Sequence, residues 1–193
     1  MKNILERTPL QVYNDLTPEN DTRNLVDEYK GLPNEVVKQK LAEKAFPYHI
    51  AIENYQHDFN IGTIVRNANA FNAGGVHIVG KRQWNKRGAM ATNLYLSVHN
   101  HPSVDEFKKW AEDSELEIIG IDNIQGSVNL GETALPKNCV LVFGQEGPGL
   151  SQEMQAICNK IVAIEQFGST RSVNVGVASG IIMYSWIRSH KLN

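Results

Sequence analysis

The sequence predicts an α/β domain, a mostly parallel sheet flanked by helices. From residue 48 onward, short apolar runs alternate with amphipathic stretches, the order that strand-helix-strand units require. The runs are near-continuous in Val, Ile, Leu and Phe, as expected for strands covered on both faces. The chain has 193 residues, 41% of them hydrophobic, enough to bury one core without disulfide or metal staples.

Each element has its own signal. Residues 48–52 (YHIAI) read as the first strand. Residues 60–73 read as a helix, because Ile61, Ile64, Val65, Ala68 and Phe71 share one side. Residues 75–79 (GVHIV) are a second strand. A helix over 103–113 opens with Ser103, which forms a Ser-x-x-Glu capping box with Glu106. Residues 116–121 and 139–143 are strands, 150–158 a helix, 161–164 a strand and 174–188 a long terminal helix. Before residue 47 the chain is polar and charged. Leu25, Val26 and Tyr29 form one short helical face there, and Val37, Leu41 and Ala45 repeat every four residues in a second. Pro33-Asn34 and Pro47 bound that second segment. The expected organisation is a short helical N-terminal arm at residues 1–46 and one α/β domain at 47–193.

Composition excludes several classes. Nineteen Lys and Arg against 21 Asp and Glu give a net charge of −2, so any nucleic-acid contact must come from local patches. Cys139 and Cys158 lack the spacing of a disulfide framework or a zinc site. His99 and His101 suit one strand face, but no cysteine lies close by in sequence, and no metal is expected. Residues 1–7 (MKNILER) lack the apolar core of a secretory signal. No apolar run approaches the roughly 20 residues that span a bilayer. A soluble cytoplasmic protein without a membrane partner is expected.

Ligands of open α/β sheets bind beyond the carboxyl ends of the strands, and three polar segments follow strands here. The first holds Asn60 and Arg66. Arg66 lies in an otherwise apolar helix and needs an anionic partner, either a structural carboxylate or a phosphate. The second, Gly144-Gln145-Glu146-Gly147-Pro148-Gly149, has three glycines in six residues. It is either an ordinary turn or a place where backbone approaches a ligand closely. It lacks the lysine of a phosphate loop and the order of a dinucleotide fingerprint. Glu146 stands out, since a turn needs no carboxylate there. In the third, Ser172 and Asn174 either cap the last helix or belong to a site. Gly176, Ala178, Ser179 and Gly180 follow, small residues that suit a close helix crossing, within one chain or across a dimer. Lys81, Arg82, Lys86 and Arg87, with Trp84 among them, form either a solvated loop or a set for phosphate contact and base stacking.

Taken together, these segments resemble the three motifs of the SpoU (TrmH-type) RNA 2′-O-ribose methyltransferases of the SPOUT superfamily. Asn60-Ile61-Gly62-Thr63-Ile64-Val65-Arg66 is similar to the first motif. Phe143-Gly144-Gln145-Glu146-Gly147-Pro148-Gly149-Leu150-Ser151 is similar to the second, and Ser172-Val173-Asn174-Val175 to the third. Lys86-Arg87-Gly88-Ala89 resembles a family loop. The match spans about residues 48–188. Asn67 stands where the family often has Thr, Asn72 where Gly is common, Val173 where Leu is usual, and Glu165-Gln166-Phe167 replaces a more apolar stretch. None of these removes a polar residue with a catalytic role.

The resemblance implies a SPOUT-type fold with a C-terminal trefoil knot, a homodimer, and S-adenosylmethionine as methyl donor to a ribose 2′-hydroxyl of tRNA or rRNA. It implies Arg66 as the catalytic arginine, acting either as base or as electrostatic stabiliser. Asn60, Ser172 and Asn174 would orient groups by hydrogen bonding, and Glu146 would hold the arginine or the active-site loop. Gly144, Ile164 and Val173 would bind the cofactor. Lys81, Arg82, Lys86 and Arg87 would contact RNA. A non-catalytic RNA-binding protein on the same scaffold is the alternative.

Overall fold

Among the described residues, seven parallel strands form one sheet in the order β3-β2-β1-β6-β4-β7-β5. A computed structural model describes residues 16–192. The strands are β1 His49–Asn54, β2 Val76–Gly80, β3 Val98–His101, β4 Glu117–Ile121, β5 Val128–Asn129, β6 Cys139–Phe143 and β7 Lys160–Ala163. The helices are α1 Asn34–Glu43, α2 Ile61–Ala70, α3 Val104–Asp113, α4 Gln152–Ile157 and α5 Val175–Ile187.

The apolar runs are explained by two cores, one on each face. Successive strand residues point to opposite sides. Ile50, Ile52, Leu141 and Phe143 meet α2 and α5 through Ile64, Ile182, Met183 and Trp186. Ala51, Val140 and Val142 meet α3 and α4 through Phe107, Ala111 and Met154. Two strands were absent from the sequence expectation. β3 (VHNH) is a polar edge strand, held by its register with β2. β5 is only two residues long.

Helix ends follow their caps. Ser103 Oγ accepts from Glu106 N at 3.2 Å, and Asn174 Oδ1 accepts from Gly176 N at 2.9 Å and Val177 N at 3.3 Å. α2 stops at Ala70, short of the expected residue 73, because Asn72 takes a left-handed φ of 47° that a continuing helix excludes. The face expected from Leu25, Val26 and Tyr29 is no helix beyond a 3-10 turn at Asp27–Tyr29. Side chains hold that segment as a loop instead. Asp21 accepts from Gly31 N at 2.9 Å, and Arg23 donates to Leu32 O at 2.6 Å. Val37 of α1 packs with Tyr29 and Tyr95, so residues 29–37 lie on the α/β unit. Residues 1–15 of the expected arm fall outside the described residues.

The small residues of α5 serve a crossing within the chain. A Cβ on Gly176 would come within 2.9 Å of Thr63 Cγ2. Asn67 Nδ2 donates to Gly176 O at 3.0 Å and to Ser179 Oγ at 2.9 Å, across the same contact with α2. Among the described residues, no helix is long and apolar enough to cross a membrane.

Candidate functional site

The segments that follow β1, β6 and β7 converge at the carboxyl edge of the sheet. Beside them opens a cleft of about 520 Å³. Gly144, Ile164 and Val173, the three residues assigned to cofactor by resemblance, all line it, together with Ile121, Phe143 and Val175. Ser172, Asn174 and Glu146 stand on the same wall.

The glycine-rich segment is a turn closed on itself. Gln145 and Gly149 exchange backbone hydrogen bonds, each of 3.0 Å. Gly147 and Gly149 have φ of 95° and 72°, which favour glycine. A Cβ on Gly144 would meet Gly149 C at 2.2 Å, so no larger residue fits the wall there. Neighbouring strands brace the turn. Gln145 Oε1 accepts from Tyr55 N at 3.2 Å and Gln56 N at 2.7 Å. Glu53, fully buried at the end of β1, accepts from Ser151 N at 2.8 Å and Ser151 Oγ at 2.6 Å. Burial raises the Glu53 carboxyl above its usual range, and the bonds from Ser151 oppose that rise.

An amide-carboxylate cluster joins the three segments. Glu146 accepts from Asn60 Nδ2. Asn174 Nδ2 donates to Asn60 Oδ1 at 3.1 Å and lies 3.4 Å from Glu146 Oε1. Asn60 therefore points into the cluster and leaves α2 without a side-chain cap. Arg66 is not part of it. Its side chain is exposed, on the face of α2 away from the buried Ile61, Ile64, Val65 and Ala68. It makes no ion pair or hydrogen bond among the described residues. Glu146 thus holds Asn60 and Asn174, not the arginine. Arg66 needed no buried partner because the helix turns it to solvent.

Lys81, Arg82, Lys86 and Arg87 are exposed and pair with no carboxylate among the described residues. Their loop is nonetheless anchored. The buried Asn54 donates to Lys81 O at 2.7 Å and Gln83 O at 3.0 Å, and Asn85 N donates to Asp58 at 2.6 Å. Trp84 is half-buried, and with Arg82 it borders two adjoining grooves.

The sequence expectation gives no role to Glu53, Gln145, Asp122, Gln166 and Arg171. Glu53 lies at the end of β1, and Asp122, Gln145 and Gln166 follow β4, β6 and β7 within three residues, so position at a strand terminus is the available signal for these four; Arg171, eight residues beyond β7, carries no such signal. Gln166 Oε1 is buried at the cleft without a hydrogen-bond partner among the described residues. No group of three or more His, Cys, Asp or Glu able to hold a metal ion occurs among the described residues.

Comparison with known proteins agrees with this arrangement. The SpoU rRNA Methylase family matches residues 47–184. A protein of Mycobacterium sp. (strain KMS), described as an uncharacterized tRNA/rRNA methyltransferase, is 29% identical over 166 residues, covering 82% of this chain and 52% of that protein. The chain thus spans about half the length of the curated relatives that it matches. The fold is shared with the A. aeolicus TrmH/SpoU tRNA modifying enzyme, with a TM-score of 0.70 at 24% identity, over 82% of this chain and 85% of that one. It is shared too with the SpoU methyltransferase AviRb from Streptomyces viridochromogenes in complex with AdoMet, with a TM-score of 0.68 at 24% identity, over 75% and 58%. With 47–184 matched out of 193 residues, the chain belongs to the SpoU rRNA methylase family.

Proposed function

We propose that this protein transfers a methyl group from S-adenosylmethionine to a ribose 2′-hydroxyl in a structured tRNA or rRNA. The convergence of Asn60, Glu146 and Asn174 beside a cleft walled by Gly144, Ile164 and Val173 carries this reading.

The cleft fits the donor. Its volume lies within the range of small-molecule sites. Ile121, Phe143, Ile164, Val173 and Val175 give one part of it the apolar surface that an adenosine ring prefers, and the Gln166 Oε1, without a partner among the described residues, suits a ligand N–H. When bound, S-adenosylmethionine would supply an electrophilic sulfonium methyl; its transfer would form an O–CH3 bond, break the S–CH3 bond and pass the hydroxyl proton to water. The chain's residues do the rest. Asn60, Glu146 and Asn174 lock the three segments in one geometry, so little reorganisation is left for the reaction. Ser172 hydrogen-bonds the ribose. Arg66 stabilises the developing alkoxide and the adjoining phosphate, because a guanidinium keeps its proton in water and is a poor base.

Lys81, Arg82, Lys86 and Arg87 hold RNA phosphates. A homodimer is supported by Val177, Ile181 and Tyr184, which recur at helical spacing along α5 and are exposed. A trefoil knot is supported by contacts of the 123–136 segment with the chain's end. Asn123 Nδ2 donates to Arg171 O at 3.1 Å, Gly131 N to Glu165 at 2.7 Å and Trp186 Nε1 to Pro136 O at 2.9 Å.

The test uses the full chain with methyl-labelled S-adenosylmethionine and RNA from a strain lacking the gene, followed by mass spectrometry of nucleosides. A new 2′-O-methyl nucleoside is expected. A methylated base overturns the ribose assignment. RNA binding without transfer supports the non-catalytic alternative.

A further inference from the structure

Among the described residues, the cleft is lined by a single basic side chain. Its charged lining residues are Asp122, Glu146 and Arg171. Both carboxylates are committed to the fold. Asp122 accepts from Asn123 N and Leu150 N, each at 2.8 Å, and Glu146 is held by Asn60 and Asn174. Arg171 is different. Its backbone is fixed, with its carbonyl accepting from Asn123 Nδ2 at 3.1 Å. One residue on, Ser172 O accepts from Thr170 Oγ1 at 3.0 Å. Its guanidinium is exposed and makes no hydrogen bond or ion pair among the described residues.

A planar guanidinium presents two parallel N–H donors that match a carboxylate, and the pair is a charge-assisted one. An anionic ligand group entering this cleft meets two carboxylates that repel it and one cation that attracts it. An amino-acid carboxylate therefore has one favourable place along the lining, beside Arg171. Its position next to Ser172 and three residues before Asn174 puts it on the same short segment as Val173 at the cleft wall.

We propose that Arg171 binds the α-carboxylate of the methyl donor and thereby selects donors that keep their amino-acid end. This rests on the donor reading given above. It makes Arg171 a cofactor-binding residue, separate from the Arg66 role.

Isothermal titration calorimetry of wild type, Arg171→Ala and Arg171→Lys tests it, with two ligands. One is S-adenosylmethionine. The other is decarboxylated S-adenosylmethionine, which keeps the adenosine, sulfonium and ammonium. Wild type is expected to prefer the carboxylated ligand by about tenfold or more, the usual value of a charge-assisted hydrogen bond. Arg171→Ala loses that preference by weakening only for the carboxylated ligand, and Arg171→Lys recovers part of it. Unchanged binding of the decarboxylated ligand shows that the variant is folded. An Arg171→Ala variant with undiminished affinity for S-adenosylmethionine overturns the proposal, as does an equal loss for both ligands. Undiminished donor affinity with weakened RNA binding assigns the guanidinium to a phosphate instead. Wild type that binds both ligands equally removes the Arg171 assignment alone. Wild type that binds neither removes the donor reading and the assignment with it.

Discussion

Asn174 Nδ2 lies 3.1 Å from Asn60 Oδ1, although 114 positions separate the two residues. The Oδ1 of the same Asn174 amide takes the N–H groups of Gly176 and Val177. One side chain thus starts α5 and ties it to the head of α2 and to Glu146. Aspartate caps as well as asparagine does, but it has no N–H to give Asn60.

Asn174→Asp separates these two duties. The variant is expected to keep its helix content by circular dichroism and to lose methyl transfer by at least about tenfold, from the missing donor bonds. Asn174→Ala loses the cap as well and costs about 1 kcal/mol of stability in denaturant unfolding. A wild-type rate for the aspartate variant would show that the link to Asn60 is dispensable.

Arg66 faces solvent without a partner among the described residues, so truncating it leaves no buried charge behind. Arg66→Ala is expected to lower kcat by about 10² to 10³, the usual cost of one oxyanion donor. Donor affinity by calorimetry and the melting temperature stay at wild-type values. A fall in all three together would assign the residue to the fold.

The anchored loop of Lys81, Arg82, Lys86 and Arg87 makes a salt-dependent prediction. Each alanine substitution of a phosphate-contacting cation flattens the log-log salt slope of RNA binding by about 0.7 to 0.9. Filter binding over a potassium chloride series measures it. An unaltered slope in the quadruple variant would place RNA elsewhere.

Histidines form a chain across β1, β2 and β3, with His77 and His101 buried and His49 half-buried. His49 Nδ1 lies 3.1 Å from His77 Nε2, and His77 Nδ1 lies 2.8 Å from His101 Nε2. Trp110 stacks on His77 at 3.6 Å. Burial pushes His49 down from 6.5 to about 4 and lowers His77 and His101 as well, with neighbouring imidazoles adding to the effect. Folded imidazoles therefore refuse protons that the unfolded chain accepts. Their contribution to stability is complete above pH 6.5 and is lost as the pH falls from there towards 4. Urea unfolding at pH 7.0, about 5.5 and about 4.5 should show a steady decline, shallower in His77→Leu. Equal stability at the three values would mean that the folded rings take up protons as readily as the unfolded chain does.

Short-range features were readable from the chain. Strand positions emerged from apolar runs, and the caps at Ser103 and Asn174 from hydroxyl and amide residues at helix starts. Such signals need only neighbours a few residues apart. β3 was passed over because its VHNH residues owe their extended form to pairing with β2. The segment around Tyr29 has the spacing of a helix, but spacing alone does not reveal that Asp21 and Arg23 occupy its backbone.

The motif residues of the site were visible in the chain, while their partners were not. Residue type and motif order mark Asn60, Glu146, Asn174 and Gly144 as candidates: a helix cap calls for Asn174 and a tight turn for Gly144, whereas Glu146 stands out because a turn needs no carboxylate. That Glu146 bonds Asn60 and Asn174 while Arg66 faces solvent follows from how α2 and α5 cross. So does the use of Gly176 and Ser179 for contact with Asn67. Long-range contacts of this kind arise when apolar faces are buried against one another, and linear order along a chain carries no measure of which faces will meet.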